Sequence, residues 1–276
     1  MSMTAATRTR RPALAFIFAV PIAVLGGLIG LGGAEFRLPV LVGPLRYAAR
    51  QAVPLNLAVS MVTICASLAI RSRSLSFDPV EPFLPAVIGL ISGAVVTAVI
   101  GTALLHRLSD ERLERIILWL LVVIGCALIV ESFLPTDVSG FVPDNTAARV
   151  VVGFCFGLGI GLVSSLLGVA GGEVIIPTMV FAFGAGIKTA GTASLLISLP
   201  TVAVGIVRYA RRGAYDRDAL RETVAPMGLG SVIGAVIGGL LVGIMPAAVL
   251  KLGLGCILIA SAVRIFHSTR TPGTTR

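Results

Sequence analysis

Charge is what this chain has least of. Only 13% of its 276 residues are Asp, Glu, Lys or Arg, against about a quarter in a soluble domain, which excludes an ordinary water-facing globule. Acids are scarcer than bases, 13 against 22, and there are two histidines. The four cysteines stand singly in apolar runs with no C-x-x-C pair. Metal clusters and Cys/His catalytic sets are therefore not expected, and the cysteines read as small buried hydrophobes. No Walker motif or nucleophile elbow occurs, so neither a catalytic constellation nor ATP-driven transport by this chain alone is indicated, and no cofactor is called for. No arginine-rich run interleaved with aromatics accompanies the net charge of +9, so nucleic acid is not a partner.

What the chain has is apolar length. Hydrophobic residues make up 56% and the mean hydropathy is +1.01. Runs at 13–45, 53–70, 83–105, 116–134, 150–184, 190–207, 224–245 and 247–265 each suffice to cross a core of about 30 Å, which takes roughly 20 helical residues. They lack period-2 alternation, so the expectation is an all-α polytopic protein in a lipid bilayer, not a barrel. Residues 1–134 form a first repeat, 135–148 an extracytoplasmic linker and 149–276 a second repeat. The basic start (Arg8, Arg10, Arg11) resembles a signal-peptide n-region. The first run carries a motif with a partner downstream, so it is expected to be retained.

That motif is Gly30-Leu31-Gly32-Gly33-Ala34-Glu35-Phe36-Arg37-Leu38-Pro39. It returns as Gly168-Val169-Ala170-Gly171-Gly172-Glu173-Val174-Ile175-Ile176-Pro177, with its first Gly, Glu and Pro all displaced by 138. Run 13–45 would be about 50 Å long as one helix, too long for a single span. The glycines must break it, either as a span plus a stub or as a hairpin that dips in and returns. Simple spans make the halves parallel; a re-entrant hairpin opening each half makes the repeats inverted. With the N-terminus inside, the hairpin layout puts five Lys/Arg outside (Arg71, Arg73, Arg149, Lys188, Lys251). The simple layout puts eight there, so the positive-inside rule favours inverted halves in the cell membrane with both termini cytoplasmic.

Proline is tolerated where its missing N–H would be unpaired, so Pro39 and Pro177 are expected in the first turns of half-helices starting near Glu35 and Glu173. Their free N–H groups and positive dipole ends, at membrane depth, make an anion site. The expected substrate-binding residues are Gly32, Gly33, Ala34, Glu35, Gly171, Gly172 and Glu173, with Asn56 and Ser194 (also offset by 138) on the following helices. Glu35 and Glu173, costly if ionised in apolar surroundings, are the expected proton-coupling carboxylates; the alternative is that each caps its own half-helix. Asn56, Ser60, Ser194 and Ser198 either line the pocket or bond neighbouring helices. Arg37 is read as snorkelling to the headgroups; Glu131, His106 and His267 as interfacial. Gly153-x3-Gly157-x3-Gly161 and Gly230-x3-Gly234-x3-Gly238 read as helix contacts.

The two glycine boxes, each followed by proline after a few apolar residues, resemble those of the TauE/SafE sulfite-exporter family of permeases. The duplicated layout covers nearly the whole chain, with Ala34 and Ala170 where family boxes carry glycine. The resemblance implies a secondary transporter of small anions, of the sulfite, thiosulfate or sulfonate class. Export of organic carboxylates is the nearer alternative. An intramembrane enzyme using Glu35 and Glu173 as an acid–base pair is the more distant one, lacking a nucleophile or metal.

Overall fold

The computed structural model describes residues 11–74, 77–104, 140–167 and 169–246, with single positions between 119 and 129 and between 248 and 259. Every regular element among the described residues is helical. They are α1 (Pro12–Ile29), α2 (Ala34–Val42), α3 (Ala49–Ser74), α4 (Leu84–Leu104), α5 (Thr146–Leu167), α6 (Gly172–Pro177), α7 (Ile187–Arg211) and α8 (Ala225–Leu241). α6 runs on into a π-helical turn, Thr178–Ala182, and α8 is entered through another, Leu220–Val224. Among the described residues, five helical stretches are long and apolar enough to cross a membrane: Pro12–Ile29, Arg50–Arg73, Asp78–Val99, Ile187–Arg211 and Arg217–Leu241. Run 116–134, run 247–265, Glu131, His106 and His267 lie largely or wholly outside the described residues.

Most of the packing is α4 on α5 and α1 on α8, with α3 against α7. Small residues decide the first two contacts. A Cβ on Gly157 would lie 2.4 Å from the Leu90 carbonyl oxygen, and one on Gly161 2.1 Å from that of Ala94. Gly234 and Gly238 meet the carbonyls of Val20 and Val24 just as closely. Both glycine ladders are thus helix contacts, as their spacing predicts. Outward faces are apolar: Leu229, Ile233 and Leu240 of α8 and Ile88 of α4 are exposed, which costs nothing against lipid tails.

Each half opens with a broken helix. α1 ends at Gly30 in the left-handed region (φ 96°), where the Gly30 and Leu31 N–H groups both reach the Gly26 carbonyl, at 2.9 and 2.8 Å. This is the Schellman closure, which needs a residue free of Cβ strain at that position. The chain turns back: a Cβ on Gly33 would touch Ile22 of α1, four residues before Gly26. In the second half Val169 N–H reaches the Ser164 carbonyl, and Gly171 sits against Ile160 and Ser164. These are the same positions displaced by 138.

The ends of the elements are tied across the chain. Tyr47 and Thr223 hydroxyls meet at 2.7 Å, and Tyr215 donates to the Pro54 carbonyl at 3.2 Å. Burial raises the Tyr215 phenol above its usual range, which keeps it a donor. Val142 N–H donates to the Ala182 carbonyl at 3.0 Å, so residues 140–142 rest on the end of the α6 segment. Arg149 pairs with Asp144, donates to the Pro82 carbonyl and lies over the Phe83 ring.

Several expectations need correction. The cysteines are not buried: Cys65, Cys126, Cys155 and Cys256 are all at the surface, where apolar thiols on outward helix faces meet lipid instead of core. Arg71 does not end its helix in a loop, because α3 runs on to Ser74 and the side chain is fully buried.

Candidate functional site

The two glycine boxes meet. A Cβ on Gly32 would touch Ala170, its counterpart 138 residues on, and one on Gly172 would touch Leu31 and come 3.1 Å from Ser194 Oγ. Glu35 and Glu173 are likewise in contact, each near enough to hydrogen-bond the other. An O–H is needed for a hydrogen bond between two carboxyl groups, so the pair can hold one proton between them. Residues that touch their own counterparts lie where a two-fold axis would pass.

Both half-helices begin as the motif predicts. Gly33 (φ 68°) and Gly171 (φ 80°) are the N-caps, and α2 and α6 start at the next residue. The N-cap glycines supply no side chain; Glu35 and Glu173 instead each accept from their own main-chain N–H, at the positive dipole end of each helix. Glu35 and Glu173 fall in the first turns. The prolines do not. Pro39 and Pro177 are each the sixth residue of their helix, one turn later than expected. A proline there cannot donate to the carbonyl four residues back, so the carbonyls of Glu35 and Glu173 lose their ordinary acceptor role. After Pro177 the helix widens into the π-helical turn.

Behind α2 lies a polar stripe. Asn56, Ser60, Thr63, Ser67 and Arg71 lie on one face of α3, all buried; the counterpart face of α7 carries buried Ser194, Ser198, Thr201 and Tyr209. Asn56 Nδ2 donates to the Ala34 carbonyl at 2.9 Å and Ser198 to the Ala170 carbonyl at 2.8 Å. Asn56 and Ser198 therefore hold the broken peptides in place. Ser194 Oγ is buried without a partner.

Arg37 is not at the headgroups. It is fully buried and folds back toward the start of α2, as helical side chains do. Its Nη2 donates to the Gly32 carbonyl (3.1 Å) and Thr63 Oγ1 (3.0 Å); Nη1 donates to Ser60 Oγ (3.0 Å) and Asn56 Oδ1 (3.4 Å). Arg71, also unforeseen, donates to the Gly27 and Leu28 carbonyls (3.0 and 3.2 Å) and to Thr192 Oγ1 (2.8 Å). It thereby joins the end of α1 to the start of α7. The only sequence signal for either was a charge at the edge of an apolar run, which flanking arginines share. No group of three or more metal-ligating residues occurs among the described residues.

A model of the Sulfite exporter TauE/SafE family matches residues 13–265. The chain belongs to that family. It is also similar to a probable membrane transporter protein, ORF9, of Sinorhizobium sp, at 40% identity over 103 residues. That match covers 37% of this chain and 37% of the relative. No solved structure matches. This TauE/SafE chain is thus a multi-pass membrane protein, and the paired glycine boxes lie where α2 and α6 meet.

Proposed function

We propose that the chain is a secondary transporter of small anions in the cell membrane, with sulfur oxyanions and sulfonates of the sulfite and thiosulfate class as substrates. The anion binds between the N-termini of α2 and α6, at Gly32, Gly33, Ala34, Gly171 and Gly172, with Ser194 as a side-chain donor. Glu35 and Glu173 carry protons with it, and neither serves as an enzyme's acid or base. The contact between Glu35 and Glu173 carries this reading. Each carboxyl accepts from the main-chain N–H at its own helix start, but two simple caps have no need to touch, and a touching pair can release or take a proton as an anion leaves or arrives.

The site is set in two inverted repeats, 1–134 and 149–276, joined by an extracytoplasmic linker at 135–148, with both termini cytoplasmic. Two contacts support this layout over simple spans. Eight simple spans would put Tyr47 and Thr223 on opposite membrane faces, yet their hydroxyls are bonded. The same layout would separate the linker from Ala182, which accepts from Val142. Re-entrant hairpins put both pairs on shared faces. Inside-negative potential pushes an anion outward by about 2.3 kcal/mol per charge per 100 mV, so export is the uncoupled direction.

Flux of sulfite and thiosulfate into proteoliposomes of the purified chain tests the proposal. Saturable flux that responds to an imposed pH gradient is expected. Flux of neither these anions nor sulfonates would contradict it.

A further inference from the structure

The two buried arginines stand in opposite electrostatic positions. Arg71 sits at the C-terminal end of α1, on the carbonyls of Gly27 and Leu28, where a helix dipole favours a cation. Arg37 sits at the N-terminal end of α2, its Nη2 on the Gly32 carbonyl, where the same dipole opposes a cation. Every hydrogen-bond partner of Arg37 is neutral: Gly32, Asn56, Ser60 and Thr63. Its Nε–H is buried and has no partner. A guanidinium this deep needs negative charge nearby. The charge acting on it is that of Glu35 on its own helix, and Glu35 is in turn paired with Glu173 on α6. From α3 it meets only neutral Asn56, Ser60 and Thr63. The one charge on that face is the cation Arg71, two turns further along and on the carbonyls of α1.

We propose that Arg37 is a fixed counter-charge used alternately by the glutamate pair and by the transported anion. This rests on the anion-transport reading above. In the empty site the pair holds one proton, and its remaining negative charge balances Arg37. When a monoanion enters between the half-helices, it takes over that balance, with the free Nε–H of Arg37 and Ser194 Oγ as available donors. The pair then takes up one proton from solvent, since a second negative charge beside the anion would be repelled. One anion charge and one proton enter together, and both leave together. The second half has Ile175 at the position of Arg37, so a single fixed charge serves both half-helices.

The test is methanesulfonate-dependent thermal stabilisation of the purified full chain in detergent across the neutral pH range, where methanesulfonate stays a monoanion. In the wild-type protein the apparent affinity should weaken on the alkaline side by about tenfold per pH unit for each linked proton. Arg37→Gln should lose at least about tenfold in affinity at every pH, as removal of one member of a desolvated charge pair does. The double variant Glu35→Gln, Glu173→Gln should bind more tightly than wild type on the alkaline side, with no pH slope. Arg37→Gln binding at wild-type affinity, or a double variant that keeps the slope, overturns the exchange. Should Arg37→Gln fail to fold, the double variant decides alone. A wild-type chain that ignores thiosulfate, sulfite and methanesulfonate overturns the anion reading itself.

Discussion

The two halves of the molecule share geometry but not charge. Gly33 and Gly171, Glu35 and Glu173, Pro39 and Pro177 occupy matching places, and the α1–α8 contact mirrors α5–α4. Among the described residues the fully buried arginines belong to the first half: positions 138 residues beyond Arg37 and Arg71 hold Ile175 and Tyr209. Symmetry accounts for the junction where two helix starts face one another. The unmatched arginines show that one half holds the electrostatics. On the proposed reading, the matched helix starts form the site and the single unmatched cation beside them, Arg37, suits it to an anion.

The comparison breaks most readily at the glutamates. Because either carboxyl alone can still balance Arg37 and take up one proton, the double variant Glu35→Gln, Glu173→Gln should abolish pH-driven transport, and each single variant should shift its pH dependence. A variant of either that keeps normal pH dependence in a proteoliposome flux assay would mean that the carboxyls act as separate caps.

At the arginines the halves should differ sharply. Arg71→Met leaves the Gly27 and Leu28 carbonyls of α1 and Thr192 without their donor. At about 1–3 kcal/mol for each buried group left unpaired, the loss of stability should be several kcal/mol. Tyr209→Phe removes a hydroxyl that has no partner and should change stability by less than about 1 kcal/mol. Thermal unfolding in detergent compares the two, and equal losses would contradict the assigned contacts.

Glycine substitutions sharpen the comparison further. Gly30→Ala combines a left-handed backbone with a Cβ 2.3 Å from the Gly191 carbonyl oxygen. The backbone strain alone is about 1–2 kcal/mol, and the clash with main chain adds to it, so folded yield should fall. Gly172→Ala meets the flexible end of Leu31 and the Ser194 hydroxyl. It should fold, and lose anion affinity instead. The smallest effect is expected at the surface: Cys65→Ser and Cys155→Ser should leave both stability and flux near wild type, within about 0.5 kcal/mol.

Much of the fold was legible because lipid imposes a simple demand. Every long apolar run must be helical, and glycines at every fourth position must mark a close crossing, as Gly153, Gly157 and Gly161 do. The broken helices were legible from Gly-Gly beside Glu and Pro. Arg71 was hidden because its neighbour Arg73 made both look like a helix flank, when one side chain turns inward and the other stays exposed. Arg37 was hidden for a different reason. Its partners come from α3, 19 to 26 residues on in sequence, and from a glycine carbonyl, none of which shows as charge pairing. The cysteines were misread because an apolar residue in lipid has no reason to turn inward.

The most direct measurement is thiosulfate accumulation in proteoliposomes of the pure chain, driven by a pH gradient while the membrane potential is held at zero. The account predicts saturable accumulation in the wild-type protein that collapses to equilibration, or stops, in the double variant Glu35→Gln, Glu173→Gln. Accumulation that persists in the double variant, or wild-type flux blind to the gradient, would contradict coupling at the paired half-helices.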